Sequence, residues 1–370
     1  MVKITALIPA AGYSSRMGLY KPLLPLDDSL VIEKPILAFK KAGIDDISVI
    51  VGYKAHLLLP VLSRLGVKTI FNPDYDQGMY TSIQAGVAAL QHDKIDAFFL
   101  LPADYACIKP ETIHILWQTF VETRSDVVYP LFDCVRGHPP LISTKFRESI
   151  LRSKPEGGLR ELLLKEACNS IEVPVEDAGV LVDLDSESDY MKVLDKKHAS
   201  FPSYQECIKI LNQYQTEERV LDHVKEVART AGIIAEHLNS RGLRIQLGLV
   251  MAGALLHDIA KGKENHAQKG HDILMELGYP ETAKIIAEHM ELKPQNQGII
   301  NETTIVYMAD KMVKGSQVVP LEKRLQEQNS RYKDDPLIQQ IAAKRMENAL
   351  DIQSKIERIL QLKIDEILKD

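Results

Sequence analysis

A short polar loop near the start of the chain carries residue types that suit phosphate binding. Residues 10–21 read AAGYSSRMGLYK and follow an apolar segment. Gly12 lets a backbone come close to a phosphate, and Ser14 adds a hydroxyl. Arg16 and Lys21 supply two cations for a triphosphate. The Arg16 guanidinium can donate two parallel hydrogen bonds, and the Lys21 ammonium acts as a compact charge. The loop matches neither a dinucleotide-binding nor a P-loop motif, and taken alone it is also compatible with an ordinary surface turn.

Two further segments place polar residues after apolar runs. Asp104 follows the segment Ala97–Leu101, where a carboxylate can hold Mg²⁺ against phosphates or cap a helix. Residues 72–82 include Gly78 and precede a helix that we expect to begin at Ser82. The free N–H groups of such a helix start suit an anion or a base.

Four more polar residues lie further along the same half. Arg136 and His138 belong to a stiff, proline-rich loop that pairs a cation with an imidazole, or that serves as a structural turn. Asp183 and Asp185 flank Leu184 at the end of the last predicted strand, so their side chains are expected on one side. They are either acceptor or second-metal ligands, or solvated acids at a strand end.

A second constellation, of histidines and aspartates, lies in the C-terminal half. Six histidines follow residue 220, namely His223, His237, His257, His266, His271 and His289. His257 and Asp258 are adjacent at the end of an apolar helical segment, with Asp310 further downstream. Imidazole and carboxylate together suit Fe, Mn, Ni, Zn or Co better than Ca. Each histidine alone reads as a core or surface residue, whereas the ordered set indicates a metal site.

The elements that must position the first group alternate between strand and helix. Short apolar runs bounded by turn residues are typical of buried parallel strands, and they are Ile4–Pro9, Ile47–Val51, Val67–Phe71, Ala97–Leu101 and Val127–Leu131. A last predicted strand pair is Ile171–Val175 and Val180–Leu184. Helical patterns lie between them, as in Val31–Ala42 and Thr81–Leu90. The first half is therefore predicted to be an α/β domain with a doubly wound, mostly parallel sheet.

The second half has helical periodicity throughout and is predicted to be all-α. We expect an N-terminal domain over residues 1–195, a polar linker over 196–204 and a helical domain over 205–325. Residues 326–370 form one long amphipathic pattern, which predicts a helix that packs on its own domain or provides an oligomer contact.

Composition excludes several classes of protein. The 370 residues are 45% hydrophobic and 26% charged, with a net charge of −6, 6% aromatic residues and a single tryptophan. No basic patch dominates, which argues against nucleic acid as a partner. No apolar run reaches the length of a membrane span, and the four cysteines form no C-x-x-C pair. We expect a soluble, cytoplasmic protein with free thiols.

Six motifs occur in order from about Ile4 to Tyr190: AAGYSSRMG…K, NPDYDQGMYTSIQAG, LPAD, RGHPPLI, GGLRELL and VDLDSESDY. In combination they resemble the nucleotidyltransferases of molybdenum-cofactor synthesis, which share a nucleotide-diphospho-sugar transferase-like fold. The resemblance implies that a terminal phosphate of molybdopterin attacks the α-phosphate of an NTP and releases pyrophosphate. It assigns nucleotide binding to Ala10, Ala11, Gly12, Ser14, Gly78 and Ser82.

The same resemblance assigns catalytic roles to Arg16, Lys21 and Asp104, the last as the Mg²⁺ ligand. The opening Ala10-Ala11-Gly12 resembles the cytidylyl type and indicates CTP. Tyr105-Ala106-Cys107 departs from the usual Met-Pro, which leaves the acceptor open. The alternatives are another phosphorylated acceptor, such as a sugar phosphate, or a non-catalytic cofactor chaperone for a molybdoenzyme.

The ordered set H…HD…D resembles the HD phosphohydrolase superfamily over about residues 205–325. The resemblance implies that a divalent transition metal is held by His223, His257, Asp258 and Asp310. It assigns His266 and His289 to a second metal or to the substrate phosphate. Lys261 lies next to the ligands in the sequence and is either a contact for phosphate oxygens or a solvated cation. The implied chemistry is hydrolysis of a phosphoester with metal-activated water. The chain as a whole resembles fusions of these two domains and is expected to be bifunctional.

Overall fold

The N-terminal half of the chain folds around a mixed, mostly parallel β-sheet. A computed structural model describes residues 2–14, 19–91, 94–194 and 201–369. The chain divides into two compact units, Met1–Tyr190 and Met191–Asp370. Arg16 and residues 195–200 of the predicted linker region lie outside the described residues.

The strands of the first unit are β1 (Ile4–Pro9), β2 (Pro25–Leu26), β3 (Ser29–Leu30), β4 (Ile47–Val51), β5 (Lys68–Phe71), β6 (Ala97–Leu100), β7 (Val127–Phe132), β8 (Val135–Arg136), β9 (Leu141–Ser143) and β10 (Ser170–Pro174). The order in the main sheet is β10-β7-β9-β6-β1-β4-β5, and β8 pairs with β7. Parallel pairing joins β6, β1, β4 and β5, and it also joins β7 and β10. Strand β9 runs antiparallel between β6 and β7.

The helices of the first unit are α1 (Glu33–Lys41), α2 (Ala55–Leu65), α3 (Met79–Ala88), α4 (Pro110–Thr123), α5 (Arg147–Arg152), α6 (Gly158–Glu166) and α7 (Glu187–Val193, which extends into the second unit). Central strands β1, β4 and β6 are apolar on consecutive residues because both faces of the sheet are covered. Two separate apolar clusters lie in this unit, one containing Ile8 and Phe39 and the other containing Leu7 and Phe98. The predicted fold class is therefore confirmed for this half.

One predicted strand is wrong, and it matters for the site. Residues 178–181 form a 3₁₀ turn, and residues 182–185 continue without strand pairing. The Asp177 side chain accepts from the Gly179 N–H and starts this turn. A Cβ on Gly179 would lie 2.2 Å from the Cys107 carbonyl oxygen, so the turn is pressed against the backbone after β6. Residues 180–184 therefore pass beside the segment that follows β6 as a turn and loop. Helix α3 likewise begins at Met79, before the predicted start at Ser82.

The second unit is helical, as predicted. Its helices are α8 (Tyr204–Gln213), α9 (Glu218–Ser240), α10 (Leu247–Leu256), α11 (His266–Glu276), α12 (Pro280–Glu288), α13 (Glu302–Met312), α14 (Leu321–Arg331), α15 (Pro336–Leu360) and α16 (Ile364–Ile367), with a small hairpin of β11 (Val313–Lys314) and β12 (Gln317–Val318). Helix α10 packs against α8, α9, α12 and α13, and its residues are apolar almost all around. It is therefore the central helix of this unit.

Two boundaries of the second unit differ from the predicted ones. The C-terminal pattern is not one helix, because α15 ends at Leu360 and Gln361 adopts a left-handed conformation with φ of 56°. Phe201, assigned to the linker, is buried in the second unit, and a Cβ on Gly248 would lie 2.5 Å from its ring. Among the described residues, no helix combines the length and the apolar character that crossing a membrane requires.

Candidate functional site

The loop after β1 begins at the carboxyl edge of the sheet, where α/β proteins bind ligands. Ala10 N–H donates to the Ile50 carbonyl, and Tyr53 N–H donates to the Ala11 carbonyl, so the loop is tied to the end of β4. Ser14 has a φ of 55°, and its Oγ accepts from the Lys21 N–H at 3.2 Å. This loop therefore brings Lys21 back over the edge of the sheet.

Asp104 lies beside this loop because β6 and β1 are neighbours. The Ala103 N–H donates to the carbonyl of Pro9, which fixes the segment after β6 against the end of β1. Lys21 Nζ donates to Asp104 Oδ2 at 3.1 Å. The other oxygen, Oδ1, is buried and has no hydrogen-bond partner among the described residues. A buried carboxylate oxygen without a partner is costly, and a hard cation such as Mg²⁺ would satisfy it.

The loop formed by residues 182–185 adds two carboxylates to the same place. Leu184 N–H donates to the Asp104 carbonyl at 3.2 Å, and Lys21 Nζ lies 3.3 Å from Asp185 Oδ1. Burial raises the pKa of Asp183, and the charges of Asp185 and Asp104 raise it further. Burial and the same three acids raise the pKa of Tyr105 to about 12. Three carboxylates with a single described lysine among them create a negative field that favours a divalent cation.

The predicted nucleotide contacts on α3 differ in their surroundings. Gly78 has a φ of 101°, and a Cβ there would meet nothing within 4 Å, so the turn leaves open space. Ser82 is buried, and its Oγ accepts from the Asn72 side chain at 3.0 Å. Ser82 therefore holds the turn after β5 to the start of α3.

A cavity of about 640 Å³ lies next to the end of β6 and contains two of the four predicted acceptor residues. His138 is half-buried there, with 4.4 Å between the centroids of its ring and the Tyr105 ring, and its buried Nδ1 has no partner among the described residues. Burial lowers the pKa of His138, so the ring is neutral at pH 7. Arg136 lies 4.7 Å over the Tyr129 ring and pairs with Glu172.

Asp183 and Asp185 do not line this cavity, so the predicted acceptor group is divided between two places. The cavity also contains Arg160, from the GGLRELL motif. Arg160 is not among the residues predicted for the site. The signal for it in the sequence is a cation in the first turn of a helix, directly after Gly157-Gly158-Leu159.

In the second unit, three histidines are oriented by backbone carbonyls. The Nδ1 atoms of His223, His257 and His289 lie 2.9, 2.8 and 2.7 Å from the carbonyl oxygens of Gly315, Ala254 and Ile286, respectively. Because a carbonyl only accepts, each Nδ1 carries the hydrogen and each Nε2 can offer its lone pair when the ring is neutral. This is the usual support for a metal-binding histidine.

The Nε2 atoms converge with carboxylate oxygens in two groups of potential ligands. In the first group, Asp310 Oδ1 lies 3.2 Å from His223 Nε2 and 3.4 Å from His257 Nε2. In the second group, Asp258 Oδ1 lies 3.6 Å from His266 Nε2 and 3.8 Å from His289 Nε2. The six side chains come from α9, the turn after α10, the start of α11, the end of α12 and the last turn of α13.

Asp258 connects the two groups through its two oxygens. Oδ2 lies 3.4 Å from His257 Nε2 and 3.8 Å from His223 Nε2, while Oδ1 faces the second group. This is possible because α10 ends at Leu256, which leaves His257 and Asp258 in the turn beyond it. A carboxylate in this position can bridge two cations.

The charges in this cluster are mutually compensated. Burial lowers the pKa of His257, but the carboxylates of Asp258 and Asp310 outweigh it and raise the pKa to about 10. Burial lowers the pKa of His289 to about 3, so this ring is neutral. Lys311 Nζ donates to Asp310 Oδ2 at 2.6 Å and to the His289 carbonyl at 2.7 Å.

The donor set fits a transition metal. His257 is completely buried, and its Nε2 has no partner in hydrogen-bonding geometry within the described ranges. Imidazole nitrogens mixed with carboxylates suit Fe, Mn, Co, Ni or Zn. Lys261, predicted to bind phosphate, forms an ion pair with Asp258 Oδ2, and its side chain is half-exposed. The two remaining histidines lie apart, since His237 bonds to the Ile233 carbonyl and His271 pairs with Asp272.

These features define a class of protein: an α/β nucleotidyltransferase-type unit joined to a helical unit with a histidine–aspartate cluster. Residues 6–170 match the profile of the MobA-like NTP transferase domain, and residues 220–314 match that of the HD domain. The chain therefore carries both domains in this order.

Several known proteins are similar to about half of the chain. The chain is 28% identical over 201 residues to molybdenum cofactor cytidylyltransferase of Escherichia coli. The aligned region covers 53% of this chain and 98% of that protein. It is thus a homologue of that enzyme. The crystal structure of Rv0371c from Mycobacterium tuberculosis covers 52% of this chain and 97% of its own, with 23% identity and a TM-score of 0.46. A 4-diphosphocytidyl-2C-methyl-D-erythritol synthase from Anaerococcus prevotii covers 52% and 95%, with 14% identity and a TM-score of 0.42.

Proposed function

We propose that the chain is a bifunctional enzyme that transfers a nucleotidyl group in its first unit and hydrolyses a phosphoester in its second. The first activity uses an NTP, which we propose is CTP, and a phosphorylated acceptor, which we propose is molybdopterin. A phosphate oxygen of the acceptor attacks the α-phosphorus, the bond to the β-phosphate oxygen breaks, and pyrophosphate leaves. The homology to a cytidylyltransferase over the whole first unit supports this proposal.

The observation that carries the transferase proposal is the arrangement of Lys21 and Asp104 at the carboxyl edge of the sheet. Asp104 presents a buried oxygen without a partner, and Lys21 lies between Asp104 and Asp185. We propose that Asp104 holds Mg²⁺, which supplies charge neutralisation for the triphosphate. Lys21 then exchanges a carboxylate for phosphate oxygens. Arg16, outside the described residues, is proposed for the same triphosphate.

The acceptor is proposed to enter the 640 Å³ cavity beside β6. Arg136 and Arg160 offer cations to an anionic acceptor, and neutral His138 has an Nδ1 available for a hydrogen bond. The ring of Tyr129 lines the cavity and provides a flat surface for a planar ring system. Asp183 and Asp185 are proposed as further metal contacts.

Pyrophosphate release tests this activity. The purified chain is incubated with Mg²⁺, molybdopterin and CTP, GTP, ATP or UTP in turn. Release with CTP alone supports the proposal. Release with a sugar phosphate in place of molybdopterin would favour another acceptor. An absence of release with every acceptor, together with binding of the cofactor, would favour a chaperone for a molybdoenzyme.

For the second unit, the bridging position of Asp258 carries the proposal. We propose that His223, His257, Asp258 and Asp310 hold one transition-metal ion, and that His266 and His289 hold a second with Asp258. Bound metal supplies an activated water for hydrolysis. Lys261, which pairs with Asp258 Oδ2 beside the cluster, is available to orient a phosphate oxygen.

Hydrolysis of p-nitrophenyl phosphate tests this second activity. The full chain is assayed with Mn²⁺, Fe²⁺, Co²⁺, Ni²⁺ or Zn²⁺ after removal of bound metal. We expect metal-dependent release of p-nitrophenol that His257→Ala abolishes, whereas pyrophosphate release by the first unit persists. A parallel loss of both activities in a folded His257→Ala variant would contradict the assignment of the activities to separate units.

A further inference from the structure

A cavity of about 800 Å³ adjoins the first ligand group of the HD unit and extends beyond the region that matches the HD profile. His223 and Asp310 line one side. Helices α14 and α15, which follow the matched region, provide much of the other side. The C-terminal helices are therefore part of the wall of this site.

The cavity wall is strongly cationic. Six basic residues line it, namely Arg219, Lys261, Lys311, Lys314, Arg324 and Arg345. Five have a partner: Lys261 with Asp258, Lys311 with Asp310, Lys314 with Glu327, Arg219 with Glu217, and Arg324 with the Val313 carbonyl. The sixth, Arg345, has an Nε atom without a hydrogen-bond partner within the part of the chain that the structure describes.

Two buried polar atoms without partners lie in this wall. Arg345 Nε and Gln328 Oε1 are inaccessible to solvent, and neither has a hydrogen-bond partner among the described residues. Buried polar groups are almost always bonded, so each such atom requires an explanation. Because both residues line the same cavity, a ligand that carries an anion and a hydrogen-bond donor would satisfy them together.

Arg345 is held in place relative to the proposed metal ligands. Tyr307, which is completely buried on α13, donates from its hydroxyl to the Arg345 carbonyl at 2.9 Å. Lys311 Nζ lies 4.7 Å from the centre of the Tyr307 ring. Asp310 is on the same helix, one turn after Tyr307. The guanidinium therefore extends from a fixed backbone position into the cavity.

The remainder of the α15 surface in the cavity is apolar. Ile338 and Ile341 are each 45% exposed. Both line the cavity, together with Met346. This surface suits the carbon skeleton of an organic ligand better than it suits inorganic phosphate or pyrophosphate.

We propose that Arg345 and Gln328 form an anion subsite, so that the HD unit acts on an organic phosphate with a second anionic group. This inference rests on the proposed phosphohydrolase function. The scissile phosphate lies at the His223 and Asp310 side, the carbon skeleton contacts Ile338 and Ile341, and the second anion pairs with Arg345. Water adds to the scissile phosphorus, the ester bond breaks, and the leaving alkoxide takes a proton from the water.

Inhibition of p-nitrophenyl phosphate hydrolysis tests this subsite in the Mn²⁺-loaded full chain. The inhibitors are adenosine 3′,5′-bisphosphate and adenosine 5′-monophosphate, which differ by one phosphate. We expect the bisphosphate to bind more tightly, and Arg345→Gln to raise its inhibition constant about tenfold, as expected for a lost bond to a charged group. The monophosphate constant should change much less. Arg358→Gln, on the exposed side of the same helix, is the matched control and should change neither constant.

Equal effects of Arg345→Gln on both inhibitors, or no effect on either, would overturn the subsite. If the wild-type chain does not hydrolyse p-nitrophenyl phosphate, the proposed function fails. In that case, the affinity of the metal-free Arg345→Gln and Arg358→Gln variants for the bisphosphate is still measured by calorimetric titration. Equal affinities would overturn the subsite, whether or not the chain has hydrolase activity. Loss of a dimer in Ile338→Ser, with unchanged inhibition constants, would instead assign the apolar surface to an oligomer contact.

Discussion

Replacing Asp258 with asparagine should disable both proposed metal positions of the HD unit at once. The substitution keeps the size of the side chain but exchanges one carboxylate oxygen for an N–H₂ group and removes the charge. In the structure, each oxygen of Asp258 faces a different pair of imidazoles. An amide offers a single oxygen, so at least one of the two ligand groups loses a ligand. Both groups lose the negative charge of the carboxylate.

The expected size of the effect follows from these contacts. Four Nε2 atoms lie within 3.4 to 3.8 Å of Asp258 oxygens. Loss of a residue that only supports a metal ligand costs about 10–100-fold in affinity, and loss of a shared ligand should cost at least about 100-fold at both positions. His266→Ala, in contrast, should weaken only the second group. The two variants should therefore differ in how many ions they retain.

Metal content and titration provide the assay. Each variant is stripped of metal, titrated with Mn²⁺ by calorimetry, and analysed for bound metal by mass spectrometry. His271→Ala is the matched control for His266→Ala, because His271 lies on the same helix but pairs with Asp272. A melting curve of the metal-free proteins establishes that each variant is folded. Retention by Asp258→Asn of wild-type affinity at either position would refute the bridging role.

Three further predictions concern the first unit. Asp104→Ala should lower kcat/KM for pyrophosphate release by about 100-fold or more, with p-nitrophenyl phosphate hydrolysis unchanged; equal rates of release in variant and wild type would contradict the metal role. Gly179→Ala places a Cβ against the Cys107 carbonyl. It should lower the free energy of unfolding, measured by urea titration, by about 1–3 kcal/mol, and it should also lower the rate of the transferase reaction. Wild-type values for both quantities would argue against close packing at this position. Although burial raises the pKa of Asp126, hydrogen bonds from Lys145, Cys168 N–H and Asn169 N–H lower it more, so the folded pKa lies below 3.8. The stability that Asp126 contributes is present above pH about 3.9 and is lost as the pH falls through the folded pKa. The free energy of unfolding of Asp126→Asn should therefore fall less steeply at acidic pH than that of the wild type. An equally steep fall in both proteins would show that Asp126 does not contribute.

Most of the fold was predictable because buried strands and amphipathic helices leave clear patterns. The segments at β1, β4 and β6 are apolar on consecutive residues, since helices cover both faces of the sheet. The same signal misled at Val180–Leu184, which passes beside the segment that follows β6 as a turn and loop. A short, mostly apolar segment does not reveal whether its backbone pairs with a neighbour.

The site was predictable where its chemistry is concentrated in short motifs. The adjacent pair His257-Asp258 is visible in the sequence, and the structure brings it together with His223 and Asp310. The sequence could not show that Asp258 faces two groups, because this depends on α10 ending at Leu256. Arg345 gave no signal, since a lone cation on an amphipathic helix usually faces solvent.

The hydrogen bonds from histidine Nδ1 atoms to backbone carbonyls have a consequence for folding. The rings of His223, His257 and His289 are already oriented by Gly315, Ala254 and Ile286, and apolar residues such as Leu255 and Ile285 are buried around them. Little conformational entropy is therefore lost when an ion binds. In small metal-dependent domains, chelation causes unfolding because binding supplies the folding free energy. Because these rings are oriented without an ion, we expect chelators to switch off the proposed hydrolysis reversibly and to leave the helical unit folded.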